Sequence, residues 1–346
     1  MEVLLLSPLI LISFVLAFFL GWNIGANDAS NSIATSVGSG GLSLRKAIVL
    51  LIAFEILGSI LIGHTVIRTI GVGIVPHIDP LGAVVAVLST CMWILLCTRV
   101  GLPVSTTHAI VGAVLGYALV AYGAVGVNWS ILSSIFASWI LSPFLALGLA
   151  LVTHRVVSRV FERERETRTL VARLHAERLL KYILAITACY YALSWGAHDV
   201  GTATGVVYSL VSGGAVSVAS DIRTMIYLSL FGAVAIAIGA LTYGYKVINT
   251  IGYRITRLSI MTAFVAQFSA ASCSILFTVV PYLLTGWGLP VSSTHAMVGA
   301  VIGAGISRGS VSKVVTGTIF LAWLLTIPCA ACVSASLYIL LRLVGG

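Results

Sequence analysis

At 346 residues the chain is 59% hydrophobic and only 8% charged. Soluble domains carry about 25% charged residues, so this composition excludes a water-soluble globule. The net charge of +9 looks like a nucleic-acid signal until it is located, because eight of the nineteen basic residues fall between Arg155 and Lys181. That clustering reads as membrane topology and attraction to anionic membrane lipid, with no nucleic-acid partner.

In chain order, residues 3–20 are apolar, and the run reads as a retained helix and not a cleaved leader. It breaks at Gly21-Trp22-Asn23-Ile24-Gly25-Ala26-Asn27-Asp28-Ala29-Ser30-Asn31. Such polar groups cannot face lipid, where an unsatisfied group costs several kcal/mol, so an interrupted helix lining a cavity is expected. Residues 46–70 form the next span and carry Glu55. Segments 82–99 and 104–122 flank a Gly-Leu-Pro-Val box as a hairpin dipping in from one side. Residues 129–152 close the first half. From His154 to about Leu180 the composition inverts to alternating charge, the pattern of a solvated helical linker. Residues 182–195 then lead into Trp195-Gly196-Ala197-His198-Asp199-Val200-Gly201, the counterpart of the early break. A final span covers about 313–341.

The chain is an internal duplication. Gly101-Leu102-Pro103-Val104-Ser105-Thr106-Thr107-His108-Ala109-Ile110-Val111-Gly112-Ala113-Val114-Leu115-Gly116 returns as Gly288-Leu289-Pro290-Val291-Ser292-Ser293-Thr294-His295-Ala296-Met297-Val298-Gly299-Ala300-Val301-Ile302-Gly303, identical at thirteen of sixteen positions. In each copy Gly breaks the incoming segment, Pro pre-sets the first helical turn and Ser/Thr cap it. Two such helix starts aimed at one point offer free N–H groups, hydroxyls and positive dipole ends to an anion. Val66-Ile67-Arg68-Thr69-Ile70-Gly71 likewise returns as Val247-Ile248-Asn249-Thr250-Ile251-Gly252. The expected fold is an all-α polytopic membrane protein of about 10–12 membrane segments in two inverted repeats with broken helices or re-entrant hairpins. Its expected parts are a first transmembrane repeat (1–153), a charged cytoplasmic linker (154–180) and a second transmembrane repeat (181–346).

Of the ten acidic residues, Glu162, Glu164, Glu166 and Glu177 lie in the linker, and Glu2, Asp79 and Asp221 lie near span ends. Asp28, Glu55 and Asp199 are left at membrane depth, where a functional role is the default. No cluster of Lys or Arg shares that depth, so the missing positive charge is read as a transported cation. Oxygen-rich groups such as Asn27, Asp28 and Asn31 suit a hard cation like sodium. His108 and His295, one per repeat, read as capping or hydrogen-bonding residues within the site in preference to zinc ligands. Enzyme signatures, Walker A among them, are absent. The chemistry expected is transport, without an enzymatic step or an organic cofactor.

Gly25-Ala26-Asn27-Asp28, Ser36-Val37-Gly38-Ser39-Gly40, Phe54-Glu55-Ile56-Leu57-Gly58 and both Gly-Leu-Pro-Val-Ser-(Ser/Thr)-Thr-His boxes resemble the inorganic phosphate transporter (PiT) family. The resemblance covers nearly the whole chain outside the linker. It implies cation-coupled import of inorganic phosphate with sodium, or in some bacterial members protons, by a homodimer in the plasma membrane. Carried over by motif, Ser105, Thr106, Thr107, Ser292, Ser293 and Thr294 would line the phosphate site with Asp28 and Asp199. Asn27, Asp28, Asn31, Glu55, His198 and Asp199 would serve the cations, with sodium at Asn27, Asp28 and Asp199. One departure stands out: the family usually repeats Gly-Ala-Asn-Asp in the second half, and this chain has Gly196-Ala197-His198-Asp199. Imidazole is a poor sodium ligand and a good proton carrier, which leaves the coupling ion open. Relatives carrying sulfate, and a passive anion channel, are the alternatives. Phosphate keeps a proton near neutral pH and can donate to Asp28 or Asp199, whereas sulfate cannot, so retained aspartates favour phosphate.

Overall fold

The computed structural model describes residues 8–29, 31–165, 170–212, 222–306 and 311–345. Glu2, Ser30, Glu166 and Asp221 lie outside the described residues. Every regular element described is helical. Helix α1 (Pro8–Ile24) passes through a π-helical turn (Gly25–Ala29) into α2 (Asn31–Gly38), and α3 (Leu44–Arg68) ends in a second π turn (Thr69–Gly73). A hairpin follows, made of α4 (Pro80–Arg99) and α5 (Thr106–Ala121), and then the long α6 (Trp129–Arg165). The second half runs α7 (Leu170–Ser212), α8 (Ile222–Tyr243), α9 (Tyr245–Asn249) with its π turn (Thr250–Arg254), the hairpin α10 (Ile260–Thr285) and α11 (Ser293–Ile306), and α12 (Lys313–Gly345).

Seven described helical stretches are long and apolar enough to cross a membrane, with α5 and α11 as shorter apolar helices. Helix α7 is long enough too, and it carries the polar His198-Asp199 pair. Together they give a helical membrane protein with ten apolar or spanning segments among the described residues. Large apolar side chains point outward where lipid would be their solvent: Val15, Phe144 and Leu324 are 69%, 67% and 73% exposed.

Local chemistry sets the hairpins. Asp79 caps α4 by accepting from Gly82 N at 2.8 Å, with Pro80 at the first helical position. Ser259 caps α10 through a reciprocal box with Thr262. Each hairpin then turns on a glycine at positive φ, Gly101 (+71°) and Gly286 (+77°), a conformation that other residues adopt only with strain. Pro103 and Pro290 lie outside the helices they precede, since α5 starts at Thr106 and α11 at Ser293. The expectation that proline sets the first turn is therefore corrected. An extended stretch leads in, as a proline disfavours helix at the residue before it, and the caps are Ser105 and Ser292, which accept from His108 N (3.1 Å) and His295 N (3.2 Å).

The polar stretch around His198 does not break its helix. Helix α7 runs continuously through Trp195–Gly201, unlike the π turn at Gly25–Ala29. Its glycines serve contact: a Cβ on Gly196 would stand 2.4 Å from the Glu55 carbonyl oxygen, and one on Gly201 2.5 Å from Val66 Cγ1. With α3 lying this close, the backbone keeps its helical hydrogen bonds and only the side chains carry the polarity.

Contacts recur in pairs between the halves. A Cβ on Gly58 would meet the Leu193 carbonyl oxygen at 1.9 Å, and one on Gly239 the Trp22 carbonyl oxygen at 1.9 Å. Gly112 and Gly116 of α5 lie on Ile327 and Ala331 of α12, while Gly299 and Gly303 of α11 lie on Pro143 and Leu147 of α6. Each hairpin's second arm thus docks on the last helix of the other half, through the small-residue spacing that lets helices touch in lipid.

Gly58→Ala and Gly239→Ala must each push two backbones apart. Each is expected to cost about 1–3 kcal/mol, whereas Gly148→Ala, whose Cβ would meet nothing within 4 Å, is expected to be neutral or stabilising. Thermal unfolding of the detergent-solubilised variants checks this; equal melting temperatures for all three would refute the contact argument.

Candidate functional site

The π turn that follows α1 brings Asn27 to the first hairpin loop and Asp28 to the starts of both α5 and α11. Asp28 is buried, 1% exposed, and its side-chain hydrogen-bond partners among the described residues are neutral. Asn31 Nδ2 donates to Oδ1 at 2.9 Å, Thr294 Oγ1 donates to Oδ1 at 3.2 Å, and Thr106 Oγ1 donates to Oδ2. Thr106 opens α5 and Thr294 belongs to the first turn of α11, so one carboxylate ties together elements from both halves. Thr294 Oγ1 also reaches the Val104 carbonyl (3.0 Å) and accepts from Asn31 Nδ2 (3.1 Å).

Asn27 pins the first hairpin loop from below. Its amide donates to Thr98 Oγ1 (2.8 Å) and the Leu102 carbonyl (3.1 Å), and its oxygen accepts from Val104 N (3.2 Å). The second half repeats this with a different side chain. His198 Nε2 lies 2.5 Å from Thr278 Oγ1, whose hydroxyl also reaches the Ser274 carbonyl at 2.7 Å. Thr98 and Thr278 are equivalent in contact and in sequence, since 278 − 98 = 180 and the α4 and α10 caps are also 180 apart (259 − 79). Imidazole thus takes the place of carboxamide on the same hydroxyl, and Nδ1 of His198 is left without a hydrogen-bond partner.

Asp199 differs from Asp28 in its partner. The Asp199 and Glu55 carboxyls lie close together across the α3–α7 contact, so two acidic side chains face each other there. The residue of α8 equivalent to Glu55 is Ile236, because 236 − 55 equals 239 − 58, the spacing of the paired glycines. Only the first half supplies the third carboxyl. Among the sequence-predicted residues, Glu55 Oε1, Ser293 Oγ, Asn31 Oδ1 and His198 Nδ1 are buried without hydrogen-bond partners, as is Tyr191 Oη. Unpaired buried groups cost about 1–3 kcal/mol each, so these atoms are available to a polar guest.

The sequence-predicted residues divide accordingly. Asn27, Asp28, Asn31, Thr106 and Thr294 form one connected network. Glu55 and Asp199 form a second pair, and Ser293 and His198 supply unpartnered atoms. Ser105 and Ser292 are spent as helix caps, and Thr107 donates to the Val291 carbonyl at 3.2 Å. His108 and His295 meet edge to face with ring centroids 4.4 Å apart, flanked by Trp139 (3.8 Å from His108) and Trp323 (3.7 Å from His295). They buttress the two helix starts. Sequence reasoning missed Thr98 and Thr278, legible only through their matched spacing. It also missed Tyr191, fully buried beside Trp195 at 5.8 Å, which reads as one more aromatic in an apolar span. Gln267 was missed as well; it donates to the Ser32 carbonyl and to Ser36 Oγ, both at 2.8 Å.

Spanning helices with hydroxyl-capped helix starts meeting around buried carboxylates define an integral membrane protein with an enclosed polar site. Residues 24–334 match the family model described as the phosphate transporter family, and the chain belongs to that family. It is 31% identical to a provisionally named phosphate permease of Pyrococcus furiosus, over 99% of this chain and 98% of that protein. A similarly named permease of Thermococcus kodakarensis is also 31% identical, over 98% and 99% of the two chains. A solved structure described as "The sodium-dependent phosphate transporter" superposes with a TM-score of 0.83 at 30% identity, covering 97% of this chain and all of that one. The family and the structural neighbour are transporters and not enzymes.

The network separates structural from spare hydroxyls. Thr294→Val removes a hydroxyl with three partners and is expected to cost about 1–3 kcal/mol. Ser293→Ala removes an unpartnered one and is expected to change stability by under about 0.5 kcal/mol. Melting temperatures in detergent check the ordering, and an equal loss in Ser293→Ala would contradict it.

Proposed function

We propose that the chain imports inorganic phosphate by symport with a cation, binding the anion between the starts of α5 and α11. The observation that carries this is Asp28, a carboxylate at membrane depth held by hydroxyls from both hairpins. A protonated phosphate can donate a hydrogen bond to a carboxylate and accept from Ser293 and the helix-start N–H groups, and from Thr106 and Thr107 once their hydroxyls turn from Asp28 and the Val291 carbonyl. Sulfate has no proton to give, and a passive anion channel has no use for three buried carboxylates. The sodium dependence named for the structural neighbour supports sodium as a coupling ion, with Asn31 Oδ1 and Asp28 as hard oxygen ligands. Reciprocal contacts between the halves support inverted repeats moving about the site. The repeat boundaries at 153 and 181, a cytoplasmic linker, plasma-membrane location and a homodimer are part of the same reading.

A second reading concerns the second-half cation. The Glu55 and Asp199 carboxyls lie close enough to interact, an arrangement in which like charges favour sharing one proton, and His198 replaces the carboxamide found at Asn27. Both favour a proton as the ion moved by that half.

Labelled phosphate uptake into proteoliposomes, with sodium and pH gradients imposed separately, tests both readings. An inward sodium gradient is expected to drive accumulation above equilibrium, with an acidic exterior adding to the rate. His198→Asn is expected to keep the sodium response and lose most of the pH response. Equilibration that ignores both gradients would sink symport. Asp28→Asn and Asp199→Asn are expected to cut phosphate uptake at least ten-fold and to narrow the preference for phosphate over sulfate, the loss of a hydrogen bond to a charged group being about 1.5–3 kcal/mol. An unchanged preference would remove the proton-donation argument.

A further inference from the structure

A cavity of about 450 Å³ opens where the first hairpin loop meets α9 and its π turn. Arg99, Lys246 and Arg254 line it, with Asn249, Tyr253 and the Thr250 segment, and no acidic side chain is among its lining residues. Lys246 is fixed at the wall: its ammonium donates to the Arg99 carbonyl (3.1 Å) and Tyr243 Oη (3.0 Å), and lies 4.8 Å over the Tyr243 ring. Arg99 and Arg254 are exposed. Three positive charges around one concavity focus field lines and concentrate anions. At about 30 Å³ per water, the space admits a hydrated phosphate with several waters.

What separates this cavity from the buried carboxylate is a few residues of backbone. Thr250 Oγ1 holds the Gly101 carbonyl at 2.7 Å on the cavity side. Asn27 holds Leu102 and Val104 on the inner side, and Thr106 already touches Asp28. Four residues span at most about 14 Å even when extended.

The equivalent place on the second hairpin is closed. Thr69 Oγ1 holds the Gly288 carbonyl at 2.8 Å, as Thr250 holds Gly101. There, however, Trp287 lies over Gly73, its ring 3.1 Å from where a Cβ would stand, and the Arg68 guanidinium is stacked 4.8 Å from the ring centroid. The residue equivalent to Trp287 is Val100 (287 − 187), which leaves the first mouth uncovered.

We propose that the Arg99–Lys246–Arg254 cavity is an anion vestibule, a waiting site for a free phosphate oxyanion separated from the buried site only by the Gly101–Val104 loop. This rests on the phosphate-transport reading. The occupant is a phosphoryl oxyanion, and the experiment separates free phosphate from a lipid headgroup. Exchange of labelled for unlabelled phosphate across proteoliposomes passes the anion through both mouths whichever way the protein is inserted. In phosphatidylcholine vesicles at low ionic strength, the R99Q/R254Q double variant is expected to raise the KM for phosphate about five-fold or more with kcat retained, and to flatten the salt dependence of KM. The charge-preserving R99K/R254K variant is expected to restore both, which a misfolded protein would not do. Unchanged KM and salt dependence in R99Q/R254Q, with the unsubstituted protein exchanging phosphate, would overturn the vestibule and leave the phosphate reading standing. A defect that appears only when phosphatidylglycerol is present would assign the cavity to lipid headgroups and overturn it equally. Absence of any phosphate exchange by the unsubstituted protein would remove the function and the vestibule together.

Discussion

The structure turns on a carboxylate that cannot be left unsatisfied. Asp28 is shielded from bulk water, 1% exposed, and among the described residues no lysine or arginine hydrogen-bonds to it. The protein solves this by bringing two helix starts from different halves to it, each led in by an extended Pro-containing segment and capped by serine. The π turn at Gly25–Ala29 directs Asp28 toward them, as π turns at functional sites often do. Change the break, the caps or the extended lead-ins, and the carboxylate loses its partners before any ligand arrives.

Glycine supplies the second constraint. The helices that carry the site approach within backbone contact, α3 on α7 and α1 on α8, and each hairpin's second arm rests on the last helix of the opposite half. Such contacts resist small deformations, since a shift of a few tenths of an ångström meets main-chain oxygen. The hairpin loops are held differently. Gly101–Val104 hangs from Thr250, Asn27 and Thr294, and Gly288–Val291 from Thr69, Trp139 and Thr107. Rigid helix pairs bridged by loops on single side-chain hydrogen bonds localise any opening at those loops.

Much of this was readable in the sequence because duplication marks it. The repeated box located both hairpin starts, the polar interruption after residue 20 located the broken helix, and sorting the acidic residues by depth left the three that meet at the site. The rest was hidden for physical reasons. Gly196 and Gly201 look like helix breakers, yet the close approach of α3 turns them into contact points on an unbroken α7. Propensity alone cannot tell those roles apart. Hydroxyl identity was legible, but hydroxyl employment was not: Ser105 and Ser292 are consumed as caps, while Ser293 is spare. Thr98, Thr278 and Tyr191 lie in apolar spans, where their polarity gains meaning only from what the fold sets opposite them.

The two halves differ at matching positions around the polar site. In the first, Asn27 spends its amide and its oxygen on Thr98, Leu102 and Val104, so it locks its hairpin. In the second, His198 meets Thr278 alone and leaves Nδ1 bare, so the matching loop lacks that lock. Glu55 breaks the symmetry again, since its counterpart is Ile236, and it pairs with Asp199 on the His198 side. One half therefore carries a saturated carboxylate and a fixed loop. The other carries two carboxyls at close range and an imidazole whose Nδ1 has no hydrogen-bond partner. A symmetric ancestor would present like side chains at matching positions; this chain has made its halves unlike. The physical consequence is unequal tethering: Asn27 bonds the first loop at Leu102 and Val104, while His198 bonds Thr278 on the helix below the second.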